Sequence, residues 1–287
     1  MAVVLLIGGG AVAAACIGEE VRHVSRKTAD SQQLKQVHAG ILAAQADLSG
    51  SFPLPSELER DPVTHHPDER LNDHATMWGI LVARGFVDPE LLVSPGERNR
   101  AVQPYRPSGK AHDPAAGRAR EIGANAFQVD LSKRSNCSYA AMPLDPTARR
   151  RQACSAADGA CSPTVGNRGP RGGALTDPQT GEVTSRTVTN VATEGPIWRG
   201  CVIMSDNHCD WLTISPGSGQ GLLGREPCPG GPPSTGDELF RNDDGCRADP
   251  SEILDFWLIV QRASANDRPD GHDHIREWDG GRFASWD

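Results

Sequence analysis

Apolar and polar positions divide the chain sharply at its start. Residues 2–18 read AVVLLIGGGAVAAACIG and contain no charge; Glu19 and Glu20 end the run. Residues 19–48 contain no proline, and Leu34, Val37, Ile41, Ala44 and Leu48 recur at steps of three and four, one face of an amphipathic helix. Gly50 and Pro53 then supply a stop. The pattern predicts a single helix over 2–48, about 70 Å long, oily in its first half and two-faced in its second. Its apolar part spans about 26 Å against a bilayer core near 30 Å. Two other readings account for the same run. One is a secretory signal peptide with small residues at Ala13–Ala15. The other is a lipoprotein signal with Cys16 as the acylated residue.

Farther on, Leu71, Ala75, Trp78 and Val82 share a face and predict a short helix over 69–84. Residues 94–175, dominated by Pro, Gly, Arg, Ser and Ala, read as an irregular insertion with few regular elements. Residues 182–192, EVTSRTVTNVA, predict a strand. Residues 197–204 and 209–214 flank Ser205, Asp206, Asn207 and His208, whose side chains suit a tight turn, and so predict a hairpin. Val202, Met204 and Trp211 are expected to cover the amphipathic half of the long helix. Residues 253–261, ILDFWLIVQ, fit a buried strand, favoured by their β-branched content, or a short helix begun by Asp249-Pro250, and the polar tail 266–287 is expected at the periphery.

The domain organisation expected is therefore a helix over 1–48 (membrane segment 2–18, amphipathic part 19–48), an ectodomain over 49–265 and the tail over 266–287. The class is α+β. With 31 glycines and 22 prolines in 287 residues, and aromatics at only 5%, much of the ectodomain must be loop. The formal charge of −8 and the absence of a long basic stripe exclude sequence-independent binding to nucleic acid. One apolar segment excludes a membrane-spanning transporter.

Cys16 lies in the apolar run, and Cys137, Cys154, Cys161, Cys201, Cys209, Cys228 and Cys246 follow. Seven cysteines in a loop-rich ectodomain point to an oxidising compartment outside the cytoplasm. Proximity alone suggests Cys154 with Cys161 and Cys228 with Cys246. An odd count leaves at least one thiol free or bonded to another chain. No Cys-x-x-Cys occurs, which disfavours a zinc ribbon or a thioredoxin-type site.

Candidate chemistry is sparse. His208 lies beside Asp206 and Asp210 without a marked nucleophile, so the turn reads as structural; an envelope hydrolase using His208 is the catalytic alternative. His65, His66 and His74, with His272 and His274, read as polar loop residues before they read as metal ligands. Asp237, Asn242, Asp243, Asp244 and Asp249 carry hard oxygen donors of the kind calcium takes, in a spacing that fits no EF-hand. The expectation is no catalytic residue and no cofactor, with calcium the exception to test.

Four stretches carry a family resemblance: DSQQLKQVHAGILAAQADLSGSFPLPSEL (30–58), ERLNDHATMWGILVARGFVDPELLVSPGE (69–97), WRGCVIMSDNHCDWLTISP (198–216) and DELFRNDD (237–244). In this order they resemble the type IV pilins and type II secretion pseudopilins, in particular the prepilin-like proteins with long, loop-rich ectodomains. The resemblance implies a pilin-like fold, a long N-terminal helix packed on a small antiparallel sheet with extended loops. It implies a non-enzymatic envelope protein anchored in the inner membrane, its head outside the cytoplasm. Its partners would be the lipid bilayer and like or unlike subunits meeting through the helix. Gly8, Gly9 and Gly10 would allow close helix approach there, and Leu34, Val37, Ile41 and Leu48 would pack the head. Asp206, Asn207 and His208 would form the family's turn. Calcium is held in a C-terminal loop of some pseudopilins. The family's basic leader, Gly–Phe cleavage point and following glutamate would precede Met1, so the resemblance leaves two expectations, an upstream start, which is the one favoured, or a protein that prepilin peptidase does not process. Ser94-Pro95 stands where the family often has Cys-Pro. The alternative class is a secreted or lipid-anchored binding module stapled by disulfides.

Overall fold

The computed structural model describes residues 2–48, 52–58, 71–97, 99–106, 127–130, 134–142, 144, 163–169, 198–214 and 258, with the backbone alone at 2–23, 130 and 214. Helix α1, Ala2–Asp47, runs unbroken for 46 residues, as the absence of proline allows. From Asp30 onward a stripe turns inward: Leu34, Val37, Ile41 and Ala44 have no exposed surface. Leu48 lies just past the helix, half-buried and outside the core, so its expected packing role is corrected. The stripe ends at Ala44 because the chain leaves the helix before Leu48 can reach the same layer.

Short elements cover one flank of α1. Helix α2 spans Pro55–Leu58 and helix α3 spans His74–Ala83. Asp73 caps α3: its carboxylate accepts from the Thr76 backbone N–H at 2.8 Å. The helix ends in a Schellman turn, with Phe86 N donating to Leu81 O and Gly85 N to Val82 O. Gly85 supplies the left-handed residue that this turn requires, at φ +74°. A 3-10 turn, Pro89–Leu92, follows, capped by Asp88. Trp78, Leu81 and Leu92 join the α1 stripe in one core.

A two-stranded ribbon pairs β1, Val129–Asp130, with β2, Arg134–Ser135. The main sheet has four antiparallel strands in the order β3-β4-β5-β6: β3 is Tyr139–Ala141, β4 Pro163–Asn167, β5 Trp198–Met204 and β6 Cys209–Ile214. The expected hairpin is present: Trp198 pairs with Ile214, Cys201 with Trp211 and Ile203 with Cys209. The α+β class holds.

Two expectations are refined. The segment 94–175, read as an irregular insertion with few regular elements, carries the short strands β1 to β4, yet it buries Phe127, Tyr139, Ala140, Ala141, Leu144 and Val165. Both faces of β3 and β4 are covered, so they lack the polar alternation that reveals a half-exposed strand. Val202 also differs. Successive strand residues point to opposite faces. Trp211 and its partner Cys201 take the α1 side, where Lys27 sits over the Trp211 ring. Val202 therefore turns to the far face, where it meets Gly166, which in turn abuts Leu258; Met204, two residues on, shares that face by the strand period. The predicted strand 182–192, all of 253–261 except Leu258, and the tail 266–287 lie outside the described residues.

Candidate functional site

Asp30 begins the inward stripe of α1, and the sheet and the loop after the 3-10 turn meet it there with hydrogen-bond donors. Ser94 Oγ donates to Asp30 Oδ1 at 2.7 Å, Tyr139 OH to the same oxygen at 3.1 Å, and Asn167 Nδ2 to Oδ2 at 2.7 Å. Three donors on one carboxylate compensate part of the cost of its burial. Desolvation nevertheless raises the Asp30 pKa above the usual carboxylate value, against the lowering effect of these bonds and with Glu97 adding repulsion. Asn167 passes the connection on, since its Oδ1 accepts from the Cys201 backbone N–H at 2.7 Å. Gln33, almost one turn farther along α1, donates to the carbonyls of Leu91 and Val93.

A second buried acid adjoins this group. Glu97 pairs with Arg168 at 3.0 Å, the two side chains being 6% and 3% exposed. Ser138 Oγ donates to Glu97 at 2.7 Å and accepts from the Ser94 backbone N–H at 3.0 Å. The network thus ties α1, the 3-10 turn and its following loop, β3 and β4 into one polar junction inside the core. With its members enclosed and bonded to one another across these elements, it is a fastening. The sequence signal was present in part: Asp30 continues the Leu34, Val37, Ile41 spacing one turn upstream. Its partners lie 64 to 138 residues away, and no local pattern marks them.

The hairpin turn is the second fastening. Asn207 takes φ +68°, a conformation that asparagine tolerates better than most residues. Asn207 N donates to Met204 O, and Met204 N to His208 O, closing a three-residue loop. Asn207 Oδ1 accepts from His38 Nδ1 at 3.0 Å. Burial lowers the His38 pKa and keeps the ring neutral, although Asn207 and Asp206 pull the other way. His208 lies between two carboxylates, Asp206 at 2.7 Å from Nδ1 and Asp210 at 3.0 Å from Nε2. Its modest burial would lower the pKa, but the bonds and charges of Asp210 and Asp206 outweigh that and raise it. With both ring nitrogens engaged, neither is open to accept a substrate proton in this arrangement.

Of the residues singled out from sequence, Leu34, Val37 and Ile41 lie in the core, and Asp206, Asn207 and His208 form the turn. Gly8, Gly9 and Gly10 belong to the α1 backbone. Cys154, Cys161, Cys228 and Cys246, and the oxygen donors Asp237, Asn242, Asp243, Asp244 and Asp249, lie outside the described residues. The disulfide that is described joins Cys201 to Cys209 across the hairpin. Cys137 is a free, buried thiol, its pKa pushed up to about 12 by desolvation. His74 is not a loop residue: it is fully buried, Nε2 donates to Met142 O at 3.0 Å, and burial lowers its pKa to about 4. No group of three or more His, Cys, Asp or Glu side chains among the described residues is arranged to hold a metal ion. Among the residues whose side chains are described, which on α1 begin at Val24, no helix is long and apolar enough to cross a membrane.

No family model, curated protein or solved structure matches the chain.

Proposed function

We propose that the protein is a pseudopilin-like subunit of the cell envelope, anchored in the inner membrane by the first part of α1, with its head projecting from the cytoplasm-distal side. Its role is assembly rather than catalysis, within a type II secretion or pilus-like machine. The observation that carries this reading is the division of α1. One uninterrupted helix holds the uncharged stretch 2–18 at one end, while its inward stripe begins only at Asp30 and is clamped under an antiparallel sheet. A helix that is core in one half and greasy in the other has two environments to satisfy, and a bilayer suits the second. The disulfide Cys201–Cys209 agrees with a head outside the reducing cytoplasm.

Membrane extraction tests the reading. The full chain, expressed in a bacterial envelope, is expected to stay in the pellet after alkaline carbonate and to enter solution with detergent. Removal of residues 2–18 is expected to release a folded head. An intact chain that is soluble without detergent overturns the proposal. The hairpin disulfide equally suits a secreted or lipid-anchored binding module, and N-terminal sequencing of the mature protein separates that reading, since a mature end at Cys16 means lipidation.

A further inference from the structure

The two fastenings fix the direction of the hairpin along α1. Its closed end meets the helix at His38 through Asn207, and four residues farther along β6 Trp211 meets Lys27, 4.9 Å from ring centroid to ammonium. The strand therefore runs toward the start of the helix, and the open end of the hairpin faces residues 2–18. Arg199 on β5 pairs in register with Thr213, still nearer that end, and is exposed. Arg26 is exposed on the helix itself. Val24, at 56%, is the large hydrophobic side chain that stands most open among the described residues. The rim of the head nearest the apolar stretch thus carries Arg26, Lys27, Arg199, Trp211 and Val24, in a chain whose formal charge is −8.

We infer that this rim is a collar that binds the headgroups of anionic phospholipids. The inference rests on the anchored reading of α1 and adds the lipid class to it. Lys27 and Arg26 lie about 12–14 Å along the helix from Gly18 at ~1.5 Å per residue. An apolar stretch of about 26 Å is short for a core near 30 Å, and such a shortfall draws flanking residues toward the bilayer or thins it. Arginine and lysine reach the headgroups on long apolar stems, and tryptophan prefers that interfacial layer. In the sequence, Arg22 adds a fourth cation to Arg26, Lys27 and Arg199, against the two acids Glu19 and Glu20 that end the apolar run. This net positive charge complements a negative lipid surface and is screened by salt.

Amide hydrogen exchange of the full chain in lipid nanodiscs tests the inference. The discs are made of phosphatidylcholine alone or with added phosphatidylglycerol, at low and high salt. The expected result is incorporation into both, with exchange at 24–29 and 209–213 slower by on the order of tenfold in the anionic discs at low salt. The variant Arg26→Gln/Lys27→Gln/Arg199→Gln is expected to incorporate equally and to lose that difference. Incorporation into both discs with equal exchange overturns the collar and leaves the anchor standing. A chain that enters neither disc overturns the anchor, and the collar with it.

Discussion

His38 Nδ1 stands 3.0 Å from Asn207 Oδ1, joining a buried ring on α1 to the tip of a hairpin 169 residues away. The contact explains two choices at once. Asparagine holds the left-handed turn, and its side-chain carbonyl gives the N–H of the buried imidazole an acceptor.

A double-mutant cycle measures this clasp. Asn207→Gly keeps the turn conformation and loses the acceptor, so it is expected to cost about 1 kcal/mol. Asn207→Val adds the strain of a β-branched residue at positive φ, about 1–2 kcal/mol more. In urea unfolding of the detergent-solubilised chain, Asn207→Gly should cost little once His38 has been replaced by Leu. Full additivity of the two changes would show that the contact contributes nothing.

The Asp30 junction gives a pH signature. Burial raises the Asp30 pKa above its unfolded value of 3.8. Between those two values the folded chain holds a proton that the unfolded chain has lost. Its contribution is thus complete below the unfolded pKa and falls away as pH rises through the folded one. Asp30→Asn removes this slope, so the stability difference between the variant and the parent should change across the acid range and level off above it. Asp30→Ala leaves Ser94, Tyr139 and Asn167 facing a cavity and is expected to cost about 3 kcal/mol. A pH-independent difference for Asp30→Asn would contradict the raised pKa.

His74 works in the opposite sense. Its pKa falls from 6.5 to about 4 because the charged ring cannot be buried. The unfolded chain binds the proton first, so stability falls as pH drops from about 6.5 toward 4, by up to about 3 kcal/mol. His74→Gln retains a donor for Met142 O without a titrating ring. Its stability profile should be flatter than the parent's over that window, and parallel profiles would refute the assignment.

Gly40 marks a close approach of α1 to the loop after α3. A Cβ there would collide with Phe86 O and Val87 Cγ2. Gly40→Ala is expected to destabilise by about 1–3 kcal/mol through overpacking. Gly85→Ala has open space around it but a φ of +74°, and is expected to cost about 1–2 kcal/mol through backbone strain alone. Thermal unfolding of both variants checks the pair, and an unchanged midpoint for Gly40→Ala would contradict the contact.

Thiol accessibility follows from the cysteines. Cys137 is expected to resist alkylation in the native chain and to react once unfolded, as a buried thiol with a pKa near 12 should. Cys201 and Cys209 should react after reduction. Native alkylation of Cys137 at the rate of a free thiol, read by peptide mass spectrometry, would contradict its burial.

Much of the fold was legible where burial imposes a period. Leu34, Val37 and Ile41 declared the inner face of α1, and Ser205–His208 declared the hairpin turn. The strands Tyr139–Ala141 and Pro163–Asn167 were hidden because they are buried on both faces and offer no alternation to read. The polar junction was hidden for a different reason. Ser94, Glu97, Ser138, Asn167 and Arg168 are ordinary loop residues in sequence, and only the folded chain brings them to Asp30. The disulfide joins Cys201 to Cys209, neighbours across a turn; the pairs that proximity suggests, Cys154 with Cys161 and Cys228 with Cys246, lie outside the described residues.

The hairpin lies lengthwise on α1, attached near both ends, so the helix and strand would meet a mechanical pull in shear. Tension along α1 from the Ala2 end would be shared by the Asp30 bonds, the Lys27–Trp211 stack and the His38 clasp together. Such a geometry withstands stretching far better than one whose contacts open one after another like a zip.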